Sequence, residues 1–186
     1  MTDRNQSVCP VEYAGGLDTR IRRWLQNPKK ILGPLVEEGM TVLDVGCGPG
    51  FFSIDMAVMV GETGKVVAAD LQEGMLQIIR GKIAGTPLEQ RIVLHKCEEN
   101  KLGVTEEIDF ALAFYMVHEI PDQLTFYSEI ASVLKPGGDL LVVEPPVHVS
   151  KSAFKDSVSK AQKAGLTHVE SPKSFLNKTA LLQKQS

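Results

Sequence analysis

Val42-Leu43-Asp44-Val45-Gly46-Cys47-Gly48-Pro49-Gly50 is an apolar run that carries one acid and ends in three alternating glycines. It reads as a strand that stops in a tight turn, followed by a helix starting at Gly50. Glycine lets the backbone turn sharply and lets a ligand approach with no side chain in the way, while the first turn of a helix has N–H groups to spare. The pattern therefore predicts a nucleotide-like cofactor on the turn. Asp44 narrows the choice. Two residues before the first glycine, it sets a negative charge where a dinucleotide pyrophosphate would sit, which disfavours that ligand. A ligand carrying a sulfonium and an α-amino group would be attracted, and S-adenosylmethionine has both. Phe51 also departs from the dinucleotide fingerprint, which wants a small residue after the last glycine.

Val66-Val67-Ala68-Ala69-Asp70 is a second short apolar run ending in an acid, placed to accept hydrogen bonds from the hydroxyls of an adenosine ribose. The competing reading of Asp70 is the N-cap of the next helix.

Outward from these two strands the chain alternates. The expected helices are Asp18–Gln26, Pro28–Val36, Gly50–Val60, Glu73–Ala84, Pro121–Leu134 and Lys151–Ala164. The expected strands are Thr41–Val45, Val66–Asp70, Arg91–His95, Ile108–Phe114 and Asp139–Val143, with Leu166–Glu170 and Asn177–Gln183 at the end. Strands separated by helices of this length require parallel crossovers with helices on both faces. The last two runs leave no room for a helix between them and must lie antiparallel. The fold class is therefore α/β, a doubly wound seven-stranded sheet, mostly parallel with an antiparallel last strand. At 186 residues, 43% of them hydrophobic, the chain suits one well-cored unit. We divide it into an N-terminal helical extension or lid, residues 1–38, and a cofactor-binding domain, residues 39–186. A formal charge of −3 gives no expectation of nucleic-acid binding. The basic residues Arg20, Arg22, Arg23, Lys29 and Lys30 read as solvated helix faces. Cys9, Cys47 and Cys97 form no paired spacing, so neither a disulfide framework nor a metal site is expected, and a reducing cytoplasm fits best. No apolar stretch reaches membrane-spanning length.

With these motifs in place, residues 30 to 184 resemble a class I S-adenosylmethionine-dependent methyltransferase with its Rossmann-like fold, and within that class the small group that includes ubiquinone- and menaquinone-biosynthesis methyltransferases. The carriers are Val42 to Gly50, Asp70, the loop at Phe114 to Ile120, and Leu134-Lys135-Pro136-Gly137-Gly138, read as the end of the helix before strand five. The resemblance implies that Gly46, Cys47, Gly48 and Gly50 shape the turn beneath the methionine part. It implies that Asp44 holds the amino end directly or through water, that Asp70 binds the ribose, and that Leu71 and Met75 flank the adenine. Cys97-Glu98 stands where the family grips the adenine amino group, with the Glu98 backbone N–H as the favoured contact, and Phe114 is the further cofactor-binding residue the resemblance implies.

Methyl transfer to a weakly acidic nucleophile needs alignment, exclusion of water and a base. His118 is the candidate base, since its ordinary pKa suits that work at neutral pH; the competing assignment is packing against the cofactor. Glu119 is read as a helix cap, Glu144 as a residue facing substrate, and Tyr115 and Met116 as either lining the cleft or packing. Tyr13 is assigned to a lid or to structure, and Trp24 to the core. The expected activity is methyl transfer from S-adenosylmethionine to a small-molecule acceptor. The alternatives are a non-catalytic S-adenosylmethionine-binding module or partner subunit, and an NAD-dependent oxidoreductase.

Overall fold

Thr41–Val45, the first strand (β1), is buried along almost its whole length and lies beside the central strand of a seven-stranded sheet of order β3-β2-β1-β4-β5-β7-β6. The computed structural model describes residues 26–170, 172 and 177–185. The other strands are Lys65–Asp70 (β2), Ile92–Lys96 (β3), Ile108–Phe114 (β4), Leu134–Glu144 (β5), Leu166–Glu170 (β6) and Lys178–Lys184 (β7). β1 pairs in parallel with β2 and β4, and β4 with β5, whereas β7 runs antiparallel to both β5 and β6. The predicted doubly wound sheet with an antiparallel last strand is the one observed.

Among the described residues the helices are Pro28–Leu32 (α1), Ser53–Met59 (α2), Glu73–Ile83 (α3), Gln123–Val133 (α4) and Lys151–Lys163 (α5). Side chains alternate along a strand, so each strand feeds two cores. Val42, Val66, Phe110 and Leu141 pack with α1, α2 and α3 on one face; Leu43, Val67, Ala111 and Leu140 pack with α4 and α5 on the other. The crossover helices before β4 thus lie on one side and those after it on the other. The chain reverses its winding between β1 and β4, and in open α/β sheets ligands bind at the carboxyl ends of the strands flanking such a point.

Several boundaries differ from expectation for local reasons. α1 starts as read, with the Asn27 side chain accepting from the Lys30 N–H and Pro28 in the first turn, but it ends at Leu32 rather than Val36. α2 begins at Ser53, three residues later than Gly50, because the glycine turn runs on through Phe52. Of Leu134 to Gly138 only Leu134 closes a helix, capping α4 with its N–H on the Ile130 carbonyl; the proline and glycines do not. Leu134 already pairs with Ile108, and the ladder slips between Ile108 and Phe110, so that Pro136 to Gly138 belong to an irregular start of β5. Gly138 is required there: a Cβ would come within 2.9 Å of the Lys135 carbonyl and 3.0 Å of that of Asp109. Asp122, not Glu119, caps α4, its carboxylate accepting from the Thr125 N–H at 3.1 Å. The reading of Asp18–Gln26 as a helix and the assignments of Cys9, Tyr13 and Trp24 fall wholly or mostly outside the described residues.

Candidate active site

The turn after β1 is built from backbone. Gly46, Gly48 and Gly50 all have positive φ, at 64°, 52° and 84°. Their surroundings differ. A Cβ on Gly50 would lie 2.9 Å from Ile79 of α3, and one on Gly46 would lie 3.1 Å from Met116, beyond β4. One on Gly48 would meet no atom within 4 Å. Gly50 therefore serves packing between the turn and α3, whereas Gly48 faces open space. Phe51 and Phe52 follow in an edge-on pair with ring centroids 4.9 Å apart and fill the core beneath.

Asp44 lies under this turn, 2% exposed, and accepts a 2.5 Å hydrogen bond from the Ser53 hydroxyl. Its carboxylate thus ties the end of β1 to the first residue of α2. Ser53, fully buried, was absent from the expected site; its place nine residues after Asp44 carries no sequence signal of the contact. Asp70 closes the other side. One carboxylate oxygen accepts from the Gly48 N–H and the other from the Gln72 N–H, each at 2.8 Å. Gln72 rather than Asp70 is the capping residue of α3. Burial is the leading influence on Asp70 and pushes its pKa up, against the pull of those two N–H groups and of Lys96. The Leu71 N–H also bears on the carboxylate, which with about four acceptor positions still has room for a further donor.

The remaining expected contacts are uneven. The Cys47 side chain belongs to the buried core, its N–H donates to the Ala69 carbonyl and its thiol to the Gly48 carbonyl, so its sulfur supports the turn from beneath. Burial first, and Asp44 and Asp70 after it, raise the Cys47 thiol well above its ordinary range. Cys97, half-buried beside Asp70, is pushed up to about 12, mainly by burial. Both thiols are held neutral and are poor nucleophiles. The Glu98 N–H is already engaged with the Lys101 carbonyl at 3.0 Å, so the favoured adenine contact is taken by a local turn. The Leu71 carbonyl accepts from the Lys96 ammonium, and Met75 is 2% exposed, which leaves little of its side chain for a ligand.

Beyond β4 the site is built from side chains. Phe114 packs at a tilt against Phe52 and Tyr115, with centroids 4.5 and 4.4 Å apart. His118 sits in a short 3-10 turn, Val117–Glu119, and faces Glu144 at the end of β5. Its Nδ1 lies 2.6 Å from Glu144 Oε2, and its backbone N–H donates to Oε1 at 3.0 Å. A carboxylate only accepts, so Nδ1 carries the proton and Nε2 is the basic nitrogen of the neutral ring. Glu144 is 2% exposed and His118 27%. Burial drives the Glu144 carboxyl up, and His118 beside it pulls it back. An imidazole whose orientation and tautomer are set by a buried carboxylate is the arrangement a general base requires. Glu119 is pushed up by burial, partly offset by His118.

Two cavities flank this edge. One of about 300 Å³ lies on the α1 side, with Phe114 and Val143 at its floor, Ile31 and Leu35 on one wall and Asn177 and Thr179 on the other. The second, about 260 Å³, lies on the α4 and α5 side and is lined by His118, Gln123, Glu144, His148, Phe154 and Ser157. Neither of the two includes Gly48 or Asp70. The glycine turn is reached from solvent directly, with Gly46 exposed and Gly48 half-exposed. No helix among the described residues is long and apolar enough to cross a membrane.

A glycine turn, a buried acid beneath it and a second acid at the tip of β2, on a sheet of this order, define a nucleoside-binding α/β protein of the methyltransferase kind. A methyltransferase-domain family model matches residues 36–184, and the chain belongs to that family, the class I S-adenosylmethionine-dependent methyltransferases. The demethylmenaquinone methyltransferase of Oceanobacillus iheyensis is 31% identical over 125 residues, which cover 67% of this chain and 52% of that protein. That of Lactococcus lactis subsp. lactis is 32% identical over 138 residues, covering 71% and 53%. The chain spans about half the length of the curated relatives it matches. Among solved structures, a SAM-dependent methyltransferase from Aquifex aeolicus matches with a TM-score of 0.84 at 27% identity, covering 94% of this chain and 98% of that one.

The cradle fits the family's cofactor: the space over Gly48 is open, and Asp70 keeps acceptor capacity for a hydroxyl.

Proposed function

We propose that this protein transfers a methyl group from S-adenosylmethionine to a small-molecule acceptor, with His118 as the base that removes the acceptor's proton. The observation that carries this reading is the His118–Glu144 pair, a base with its orienting carboxylate at the same sheet edge as the glycine turn. S-adenosylmethionine supplies, when bound, a methyl group already activated by a positive sulfur. What remains for the chain is holding, aligning and drying the reactants, and taking one proton. Gly48 leaves the turn bare for the methionine part while Gly46 and Gly50 hold its shape, Asp70 receives the ribose hydroxyls, and the buried charge of Asp44 favours a cationic ligand above it. Phe114, with Phe52 behind it, excludes water at the end of β4. His118 takes the acceptor proton on Nε2, and Glu144 stabilises the imidazolium that results.

The relatives named demethylmenaquinone methyltransferase make a demethylated quinol the first acceptor to try. Residues 1–38 act in this reading as the extension over the acceptor, anchored at its end by Leu32 and Val36 in the core. The free thiols of Cys47 and Cys97 suit a reducing cytoplasm.

The test is calorimetric titration with S-adenosylmethionine, S-adenosylhomocysteine and NADH, followed by transfer of an isotopically labelled methyl group to a panel of small acceptors that includes demethylmenaquinol. The two sulfur compounds bind and NADH does not, and Asp70→Ala weakens both by about 1–3 kcal/mol through lost hydrogen bonds to a charged group. Binding without transfer to any acceptor favours the second reading, a non-catalytic binding module. Binding of NADH alone overturns both.

A further inference from the structure

Among the described residues Tyr115 is the one non-glycine with a positive φ, +60°. An aromatic side chain avoids this conformation, and where one is held in it the surroundings determine it from several sides. They do so here. The Tyr115 N–H donates to the Val143 carbonyl at 2.8 Å and continues the β4–β5 ladder by one step. The ring packs at a tilt against Phe114. The hydroxyl donates to Asn177 Oδ1 at 2.6 Å and accepts from the Gln26 side chain at 3.0 Å. Those two partners lie 62 and 89 residues away along the chain, on opposite sides of Tyr115.

Gln26 leads directly into α1, whose Ile31 and the following Leu35 form one wall of the larger apolar cavity; Asn177 leads into β7 and is itself part of the other wall. The hydroxyl therefore ties the residue leading into the α1 wall to Asn177 of the opposite wall, beside a floor that includes Phe114 and Val143. The next residue, Met116, lies beside Gly46 of the glycine turn.

We propose that Tyr115 is a positioning residue that clamps the two walls of this cavity and thereby sets which acceptor bodies it admits. The consequence for acceptor choice rests on the reading of the protein as a transferase; the clamp itself does not.

Amide hydrogen exchange on the full-length protein tests the clamp, with Tyr115→Phe as the variant, because it keeps the ring on Phe114 and removes only the hydroxyl. Amides in residues 28–36 and 178–182 exchange about ten-fold faster, the effect of losing hydrogen bonds of this kind, while β1 to β3 are unchanged. S-adenosylhomocysteine affinity stays within about two-fold, and adding Asn177→Ala to Tyr115→Phe brings little further change, since the two remove one shared contact. With an acceptor drawn from the methyl-transfer panel, KM rises about ten-fold, kcat changes little, and bulkier analogues gain on smaller ones. Unchanged exchange in both wall segments overturns the clamp. Faster exchange spread through β1 to β3 does the same, because it marks Tyr115 as a general support of the fold. A fall in kcat with KM unchanged overturns the role in acceptor choice. If the unaltered protein methylates nothing in the panel, the transferase reading fails while the exchange data still decide the clamp.

Discussion

The two ends of the site are made of different materials. After β1 and β2, the cradle is backbone: three left-handed glycines, two N–H groups held by Asp70, and a hydroxyl pinned under the turn by Asp44. After β4 and β5 it is side chain: a histidine on a buried glutamate, tilted aromatic rings in contact, and a tyrosine hydroxyl bridging distant segments. Backbone recognises what is constant in a ligand, because its donors and its shape change little with substitution. Side chains recognise what varies. A fold that holds one cofactor and many acceptors divides its labour in this way.

The sharpest test of that division is His118→Ala. If the β4–β5 end does the proton chemistry, turnover falls by about 10²–10⁴-fold while calorimetric affinity for S-adenosylmethionine stays level. Equal losses in turnover and affinity would dissolve the boundary between the two ends.

Within the cradle, Gly50→Ala and Gly48→Ala separate architecture from binding. Both residues have positive φ, but only at Gly50 does the new methyl strike a neighbour, Ile79 at 2.9 Å. Gly50→Ala should cost about 3 kcal/mol in chemical denaturation from strain and overpacking together, and Gly48→Ala about 1 kcal/mol from strain alone. Gly48→Ala should nonetheless weaken S-adenosylmethionine, because its methyl projects into the space left for a ligand. Full affinity in Gly48→Ala would remove the turn from the cofactor's path.

The smallest effect is in pH. Asp70 is raised by burial, so it protonates on acidification at a higher pH than an exposed aspartate with its ordinary value of 3.8. Its contribution to stability is accordingly full below the unfolded value and is lost as pH rises through the folded one. Binding has the opposite sign, since the ionised carboxylate is the better acceptor for ribose hydroxyls. Affinity for S-adenosylhomocysteine should fall on acidification by at most about ten-fold per pH unit, and Asp70→Asn should flatten that dependence in calorimetry at several pH values.

The sequence by itself determined the order of elements, the extent of β1, β4 and β6 and the place of the glycine turn, because each rests on neighbours in the chain: alternating apolar residues, glycines in a turn, a proline after a capping asparagine. Asp70 was legible for the same reason, as an acid at the end of an apolar strand. Tertiary structure alone decided the rest. Glu144 meets His118 across 26 residues, and its burial, which no local pattern encodes, turns an edge carboxylate into the buried partner of the imidazole. The Glu98 N–H was lost to the expected site because a turn with Lys101 consumed it, and the run Pro136 to Gly138 joined a strand because the β4–β5 ladder slipped around it. Tyr115 shows the limit most plainly: its left-handed backbone runs against its own preference, and it is held there by Phe114, Val143, Gln26 and Asn177, most of which meet it only after the sheet has formed.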